Sequence, residues 1–100
     1  MRVEFSKEFV KALDKLSGKI HKSVVDAVNQ VFDATTIDEI ANCKKIESLR
    51  NVYRIRIGAQ RAFFALHIHV EGDIVRFEYL FSRGEAYGKK NMEKLKNRDR

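Results

Sequence analysis

Residues 52–81 read VYRIRIGAQRAFFALHIHVEGDIVRFEYLF, a run in which hydrophobic side chains recur at every second position. This period is typical of β-strands, because successive side chains along a strand point to opposite faces of the sheet. Two glycine-containing turns divide the run into three strands, which we expect at 52–57, 61–70 and 74–81. Because short turns join antiparallel neighbours, the run predicts a three-stranded antiparallel meander. The period puts these residues of the third strand on one face: Val75, Phe77, Tyr79 and Phe81.

The chain ahead of the meander has a helical period instead. A short strand is expected at 2–5, and Ser6 is well placed to cap a helix over 7–16. A second helix is predicted over 19–34, and a basic, frayed helix over 89–98. Helices grouped ahead of a run of strands are typical of an α+β domain. We therefore predict a β-α-α-β-β-β order, with the helical hairpin on one face of the sheet, the other face open to solvent or a partner, and a basic C-terminal tail or helix.

Length and composition limit the classes of protein to which the chain can belong. One hundred residues with 44% hydrophobic content fit a single domain over residues 1–100 with one core. The longest apolar run, 62–66, is far shorter than the ~20 residues of a membrane span. Residues 1–10 do not read as a secretory signal. The single cysteine, Cys43, suits a reducing compartment. We expect a cytoplasmic protein with no membrane partner.

Positive charge is concentrated in two segments of the chain. Twenty Lys and Arg against fourteen Asp and Glu give a net charge of +6. Residues 44–61 carry six basic groups and one acidic group, and residues 83–100 carry seven and three. Clustered cations attract polyanions through phosphate contacts and counterion release, although a soluble surface with a basic tail has the same composition. Charge alone does not distinguish a surface that binds a polyanion from a soluble surface with a basic tail.

The strand period assigns faces to the arginines of the meander. Arg54 and Arg56 point away from the hydrophobic side chains of their strand, and Arg61 falls on the same face of the next strand. The expected open face therefore carries three guanidinium groups. Arginine presents a fixed fork of donors that matches phosphate oxygens.

Two motifs in this order resemble those of the RelE/ParE superfamily, the bacterial toxins of type II toxin–antitoxin pairs. The first is Tyr53-Arg54-Ile55-Arg56-Ile57-Gly58, followed by Arg61, and the second places Tyr87 four residues after Arg83. The helical hairpin before the motifs and the meander between them also match the family, so the resemblance covers nearly the whole chain. It implies a RelE-like fold and, in the RelE branch, an endoribonuclease that cleaves mRNA on the ribosome and binds a cognate antitoxin in a hetero-oligomer.

The resemblance also implies roles for individual residues. Arg61 and Arg83 would hold the scissile phosphate while a ribose 2′-hydroxyl attacks it, and Arg54 and Arg56 would extend the cationic surface. Tyr87 would stack on a base or move a proton. We expect further RNA contacts from the basic residues around these motifs: Lys44, Lys45, Arg50, Lys89 and Lys90. No cofactor is expected.

Several questions stay open on the residues alone. Arginine is a poor general base, so the proton acceptor is Tyr87, Glu85, or no strong base at all. His67 and His69 share a strand face, but no third ligand stands near them, and we predict no metal site. The alternative functions are a ParE-like toxin that poisons gyrase without cleaving RNA, and a degenerate relative that only binds an antitoxin or RNA.

Overall fold

The computed structural model describes residues 1–99 and consists of five strands, three α-helices and one 3-10 turn. In chain order these elements are β1 (Arg2–Phe5), α1 (Lys7–Asp14), α2 (Gly18–Asp33), the 3-10 turn (Ile37–Glu39), β2 (Cys43–Lys45), β3 (Val52–Ile57), β4 (Gln60–His67), β5 (Ile74–Ser82) and α3 (Lys89–Arg98). The strands form one sheet in the order β1-β5-β4-β3-β2. β1 runs parallel to β5, and the other neighbours are antiparallel.

The α+β class, the opening strand, the helical hairpin and the antiparallel meander are confirmed. The sheet is wider than the sequence indicated, because β2 adds a strand beside β3, with Lys44 opposite Arg54. Three residues are too few to display a period of two, so this strand has no sequence signal of its own. β4 ends at His67, three residues earlier than expected. Ile68 and Val70 lie beyond its end and are exposed.

Ser6 joins α1 to the middle of the sheet. Its hydroxyl accepts a hydrogen bond from the Phe9 backbone N–H at 3.0 Å, as an N-cap should, and donates one to the Glu78 carbonyl at 2.5 Å. The Ser6 backbone N–H donates to the Phe77 carbonyl at 2.9 Å. One turn into the helix, Phe9 is fully buried with its ring 5.0 Å from that of Phe77. The first core lies between α1, α2 and this face of the sheet.

β5 contains one residue more than its pairing with β4 requires. Phe63 lies opposite Tyr79 and Phe64 lies opposite Phe77, so Glu78 is the extra residue of a β-bulge. One extra residue reverses the alternation of faces beyond it. Val75 and Phe77 therefore face the helical hairpin, whereas Tyr79 and Phe81 face the other side. The expectation that all four share one face is wrong.

The second face of the sheet is not fully open, because α3 packs on one end of it. Leu95 of α3 is fully buried in a second core, which also contains Phe63 at 0% exposure. Phe63 thus packs inside the protein and does not meet a partner. The expected frayed tail is a docked helix, because Met92 and Leu95 form an apolar stripe among its lysines. The members of this second core are Ile46, Leu49, Val52, Phe63, Tyr79, Phe81, Ala86, Met92 and Leu95.

Ion pairs hold the C-terminal end of α3. Arg98 contacts the carboxylate of Glu8 in α1 at 2.8 Å and also that of the buried Glu78 in the bulge. Its guanidinium lies over the Tyr79 ring, 5.0 Å from the centroid. Next to it, the Asp99 carboxylate accepts the backbone N–H of Arg50 at 2.7 Å. The helix end is therefore tied to α1, β5 and the turn that follows β2.

We expect Leu95→Ala to lower the free energy of unfolding by about 2–5 kcal/mol, because it opens a cavity in the second core. Urea unfolding followed by far-ultraviolet circular dichroism measures the change. The control is Lys96→Ala, an exposed position in the same helix, which should change it by less than about 0.5 kcal/mol. Equal stability of the two variants would show that α3 is not part of the cooperative fold.

The contact between Glu8 and Arg98 predicts a loss of stability in acid. Backbone hydrogen bonding and the hydrogen bond from Arg98 lower the pKa of Glu8. A group with a lowered folded pKa stabilises the protein above its unfolded pKa, and this contribution is lost as the pH falls through the folded value. Glu8→Gln should therefore lower the unfolding free energy at pH 7 by about 0.2–1 kcal/mol, as for an exposed pair, and the difference should vanish in strong acid. A difference that persists at pH 2 would contradict this origin.

Candidate active site

Three arginines lie together on the face of the sheet away from the helical hairpin. Arg56 of β3 is directly opposite Arg61 of β4, and Arg54 is opposite Phe63, the next residue on that face. Arg56 and Arg61 lie next to the turn between β3 and β4, and Arg54 lies one position further along the same face. The predicted placement of these arginines on one face is confirmed, but the expectation that all three are open to solvent is wrong, because Arg61 is buried.

The loop after β5 brings two more residues to this end of the sheet. The backbone N–H of Arg83 donates to the Ala59 carbonyl at 2.8 Å, which ties the loop to the turn between β3 and β4. Tyr87 is 53% exposed, and its ring meets that of Phe63 edge to face, with centroids 6.0 Å apart and an interplanar angle of 82°. The buried Phe63 thus fixes one edge of the Tyr87 ring and leaves the rest accessible.

Arg61 is the central residue of this group. Only 8% of it is exposed, and its Nη1 donates to the carbonyls of Gly58 at 2.7 Å and Gln60 at 2.9 Å. Gly58 has a φ of +55°, a conformation that favours glycine and turns its carbonyl toward the guanidinium. The bonds to Nη1 leave Nε and Nη2 for a ligand, since arginine carries five N–H donors.

The other four side chains act electrostatically on Arg61. Burial lowers the pKa of Arg61, the charges of Arg54, Arg56 and Arg83 lower it further, and Tyr87 opposes them. We call these five residues the arginine cluster: Arg54, Arg56, Arg61, Arg83 and Tyr87. Within residues 1–99, every arginine–carboxylate ion pair involves Arg76 or Arg98, so the cluster has no internal counter-charge.

Glu85 lies in the same loop, between Arg83 and Tyr87 in sequence. Its Oε1 accepts a hydrogen bond from the Ser82 hydroxyl at 2.6 Å. Its backbone carbonyl accepts from the Asn91 side-chain amide at 2.8 Å, which links the loop to α3. The carboxylate is exposed and keeps a second oxygen for a proton.

The predicted RNA-contacting residues fall into separate groups. Lys44 and Lys45 line an open groove of about 420 Å³ with Arg54 and Tyr87 of the arginine cluster. Lys89 and Lys90 are exposed in the first turn of α3, just after Tyr87. Arg50 is exposed in the turn after β2, and its side chain does not line the groove. The structure thus brings two of the five predicted lysines and arginines to the cluster.

The groove contains residues that the sequence did not single out. Ile46, Glu47 and Ser48 complete its lining, and they follow a strand that was itself missed. No motif or period marks them. The one sequence feature that could have indicated this groove is the adjacent pair Lys44 and Lys45, which precedes these residues.

The two histidines of β4 and its following turn lie in different surroundings. His67 lines a cavity with Glu8, Glu78 and Arg98, whereas His69 is exposed and its backbone N–H points to the Asp73 carboxylate at 3.4 Å. In the part of the chain that the structure describes, no group of three His, Cys, Asp or Glu side chains is arranged to hold a metal ion. None of the helices described there has the length and apolar character of a membrane span.

Comparison with known proteins agrees with the fold and the motifs, although no family model matches the chain. The chain is 32% identical over 88 residues to the toxin RelE3 of Methanocaldococcus jannaschii, covering 87% of this chain and 96% of that protein. Among solved structures, it resembles a chain of the RelB–RelE antitoxin–toxin complex of Methanococcus jannaschii, with a TM-score of 0.65 and 26% identity over 84% of this chain and 94% of that one. A chain of the archaeal RelE–RelB complex of Pyrococcus horikoshii OT3 has the same fold, with a TM-score of 0.66 and 23% identity over 85% and 97% of the two chains.

A relative with this identity over almost its full length establishes the class of protein. The chain belongs to the RelE family of toxins, the toxin partners of RelBE-type toxin–antitoxin systems.

The uncompensated charge of the arginine cluster predicts stabilisation by oxyanions. At equal ionic strength, sulfate should raise the melting temperature more than chloride does, and ligand binding worth about 1 kcal/mol corresponds to about 4–8 °C for a domain of this size. Differential scanning fluorimetry measures the shift. Arg83→Gln should remove much of the difference between the two salts. The control Arg2→Gln, on β1 at the opposite edge of the sheet, should retain it. The same difference in all three proteins would show that sulfate acts without binding the cluster.

Proposed function

We propose that this chain is an endoribonuclease toxin that cleaves mRNA, with its activity on the ribosome, and that a cognate antitoxin inhibits it. One observation carries the proposal: Arg54, Arg56 and Arg61 share one face of the sheet, and the loop with Arg83 and Tyr87 is hydrogen-bonded to the turn beside them. The same residues were predicted as the site from two separated motifs. A phosphodiester is the anion that such a cluster fits, and the family membership supports RNA as its source.

The reaction we propose begins with attack of a ribose 2′-hydroxyl on the adjacent phosphate. The new bond joins the 2′-oxygen to phosphorus, the bond from phosphorus to the 5′-oxygen breaks, and the products are a 2′,3′-cyclic phosphate and a 5′-hydroxyl. Negative charge grows on the non-bridging oxygens in the transition state. Arg83 and the Nε and Nη2 of Arg61 would donate to these oxygens, and donors held in position before the reaction lower the barrier most. Arg54 and Arg56 add positive charge beside them.

One proton must leave the 2′-hydroxyl, and one must reach the departing 5′-oxygen. The candidates are the Tyr87 phenol and the Glu85 carboxylate, held by Ser82, and the third alternative is catalysis by charge stabilisation and positioning without a strong base. Tyr87→Phe and Glu85→Gln keep size and shape while removing the acid–base group. The variant that loses turnover without losing RNA binding identifies the proton carrier.

The partners follow from charge and family. Lys89, Lys90 and Arg50 extend positive charge away from the cluster and would contact ribosomal or messenger RNA. The solved neighbours are complexes with RelB antitoxins, and we propose the equivalent partner here, a segment that is acidic enough to cover the cationic face. The toxin would be a single domain over residues 1–100 that acts in the cytoplasm.

The test is cleavage of mRNA in a cell-free translation reaction. Arg83→Ala should reduce the cleavage rate by about 10²–10³-fold, since it removes one donor to the developing oxyanion. Primer extension on the recovered mRNA measures the rate. The matched control is Arg2→Ala, an exposed arginine on β1 at the far edge of the sheet, which should cleave at the wild-type rate.

Two results would contradict the proposal. Wild-type cleavage by Arg83→Ala would remove Arg83 from the phosphate site. Intact mRNA together with inhibited supercoiling by gyrase would instead assign the chain to the gyrase-directed branch of the superfamily.

A further inference from the structure

The loop between β5 and α3 carries Arg83 and Tyr87, and its two halves are held by different parts of the fold. The Arg83 backbone N–H donates to the Ala59 carbonyl at 2.8 Å, so the first half is attached to the turn between β3 and β4. The second half is a turn closed by the Gly88 N–H, which donates to the Glu85 carbonyl at 3.0 Å. Tyr87 is the third residue of this turn. Its position therefore depends on what holds the Glu85 carbonyl.

Asn91 of α3 is the side chain that holds this carbonyl. Its Nδ2 donates to the Glu85 carbonyl oxygen at 2.8 Å, so this oxygen accepts one hydrogen bond from the turn and one from the helix. A carbonyl oxygen accepts only from a donor, and the partner therefore fixes which end of the Asn91 amide faces the turn. The turn that contains Tyr87 is thus attached to α3 by a side chain.

The docking of α3 holds Asn91 in place. Leu95 lies four residues after Asn91, and residues with this spacing lie on the same face of a helix. Leu95 is fully buried in the second core, and Met92 packs against the same core. Asn91 itself is half-buried. The packed helix is therefore connected to the loop through one side-chain amide.

The other contacts of the turn leave Tyr87 itself weakly supported. The Ser82 hydroxyl donates to the Glu85 carboxylate at 2.6 Å, and the Ala86 N–H donates to the Ser82 carbonyl at 2.9 Å, so both bonds act before Tyr87 in the chain. The Tyr87 side chain is 53% exposed and makes no hydrogen bond within residues 1–99, and its ring meets Phe63 along one edge. The bond from α3 is the support of the turn on the far side of Tyr87.

From these contacts we propose that Asn91 is a positioning residue for the reaction, which acts by holding the turn that carries Tyr87. The inference rests on the proposed ribonuclease function and adds to it a residue that touches no substrate. A group that acts on a reacting atom works only within a narrow range of positions, so loosening its support slows the chemical step. Asn91 lies outside both sequence motifs, four residues after Tyr87.

Single-turnover cleavage of mRNA on programmed ribosomes, with the toxin in excess, tests this role. Asn91→Ala should lower the rate at saturating toxin by about threefold to tenfold, as expected for one lost hydrogen bond, and leave the toxin concentration at half-maximal rate unchanged. Alanine is the best helix former, so this variant keeps α3. Asn91→Gln retains the amide and should recover part of the rate. The control is Asn97→Ala, an exposed asparagine of the same helix, which should cleave at the wild-type rate.

Two further measurements show whether Asn91 acts through Tyr87. In a Tyr87→Ala background, Asn91→Ala should have no further effect on the rate, because the side chain that the turn positions is already absent. In a Glu85→Gln background it should keep its full effect. Without any substrate, the amide hydrogen of Gly88 should exchange with solvent about threefold to tenfold faster in Asn91→Ala than in the wild type, because the turn opens more often.

Failure of this inference and failure of the function on which it rests give different results. If the wild-type protein leaves mRNA intact, the ribonuclease function fails and the role of Asn91 falls with it. If the wild type cleaves, three results would show that Asn91 does not position Tyr87 while the ribonuclease function stands. These are an unchanged rate or unchanged Gly88 exchange in Asn91→Ala, an equal loss of rate in Asn97→Ala, and a loss that persists in the Tyr87→Ala background.

Discussion

Glu78 is the extra residue in the pairing of β4 with β5. Because of this residue, the alternation of β5 side chains between the two faces of the sheet is reversed after position 78. Before the bulge, Val75 and Phe77 pack beneath the helical hairpin, and after it Tyr79 and Phe81 pack beneath α3. The bulge also turns the Glu78 carboxylate toward Arg98, the residue that secures the end of α3. A single local irregularity thus creates the second core and holds the helix that covers it.

The second core in turn supports the candidate active site. Phe63 packs against Phe81 with ring centroids 5.7 Å apart, and its edge-to-face contact with Tyr87 fixes the ring that borders the arginine cluster. Ala86, beside Tyr87, is fully buried in the same core. The loop that carries Arg83 and Tyr87 is therefore anchored at a buried residue, which positions the exposed side chains on either side of it.

The charged side chains are arranged differently at the two ends of this face. At the α3 end, Arg76 and Arg98 are paired with carboxylates, and Glu78 is buried between them. At the other end, Arg61 is nearly buried and the charges of Arg54, Arg56 and Arg83 lower its pKa, while within residues 1–99 none of these four arginines is paired with a carboxylate. Paired charges hold the structure together, whereas unpaired like charges repel one another and oppose folding. Perturbed pKa values of this kind are found more often at functional sites than elsewhere.

The sequence alone determined the helices, the meander and the face on which Arg54, Arg56 and Arg61 lie, because all of these follow from local periods and from turns between adjacent strands. The resemblance to a family added Arg83 and Tyr87, which no period could place beside the arginines. Tertiary structure decided the rest. The bulge at Glu78, the docking of α3 and the groove along β2 depend on contacts between residues far apart in the chain. Lys44 and Lys45 are alike in sequence, and only the tertiary structure shows that the Lys45 ammonium donates to the carbonyls of the neighbouring turn.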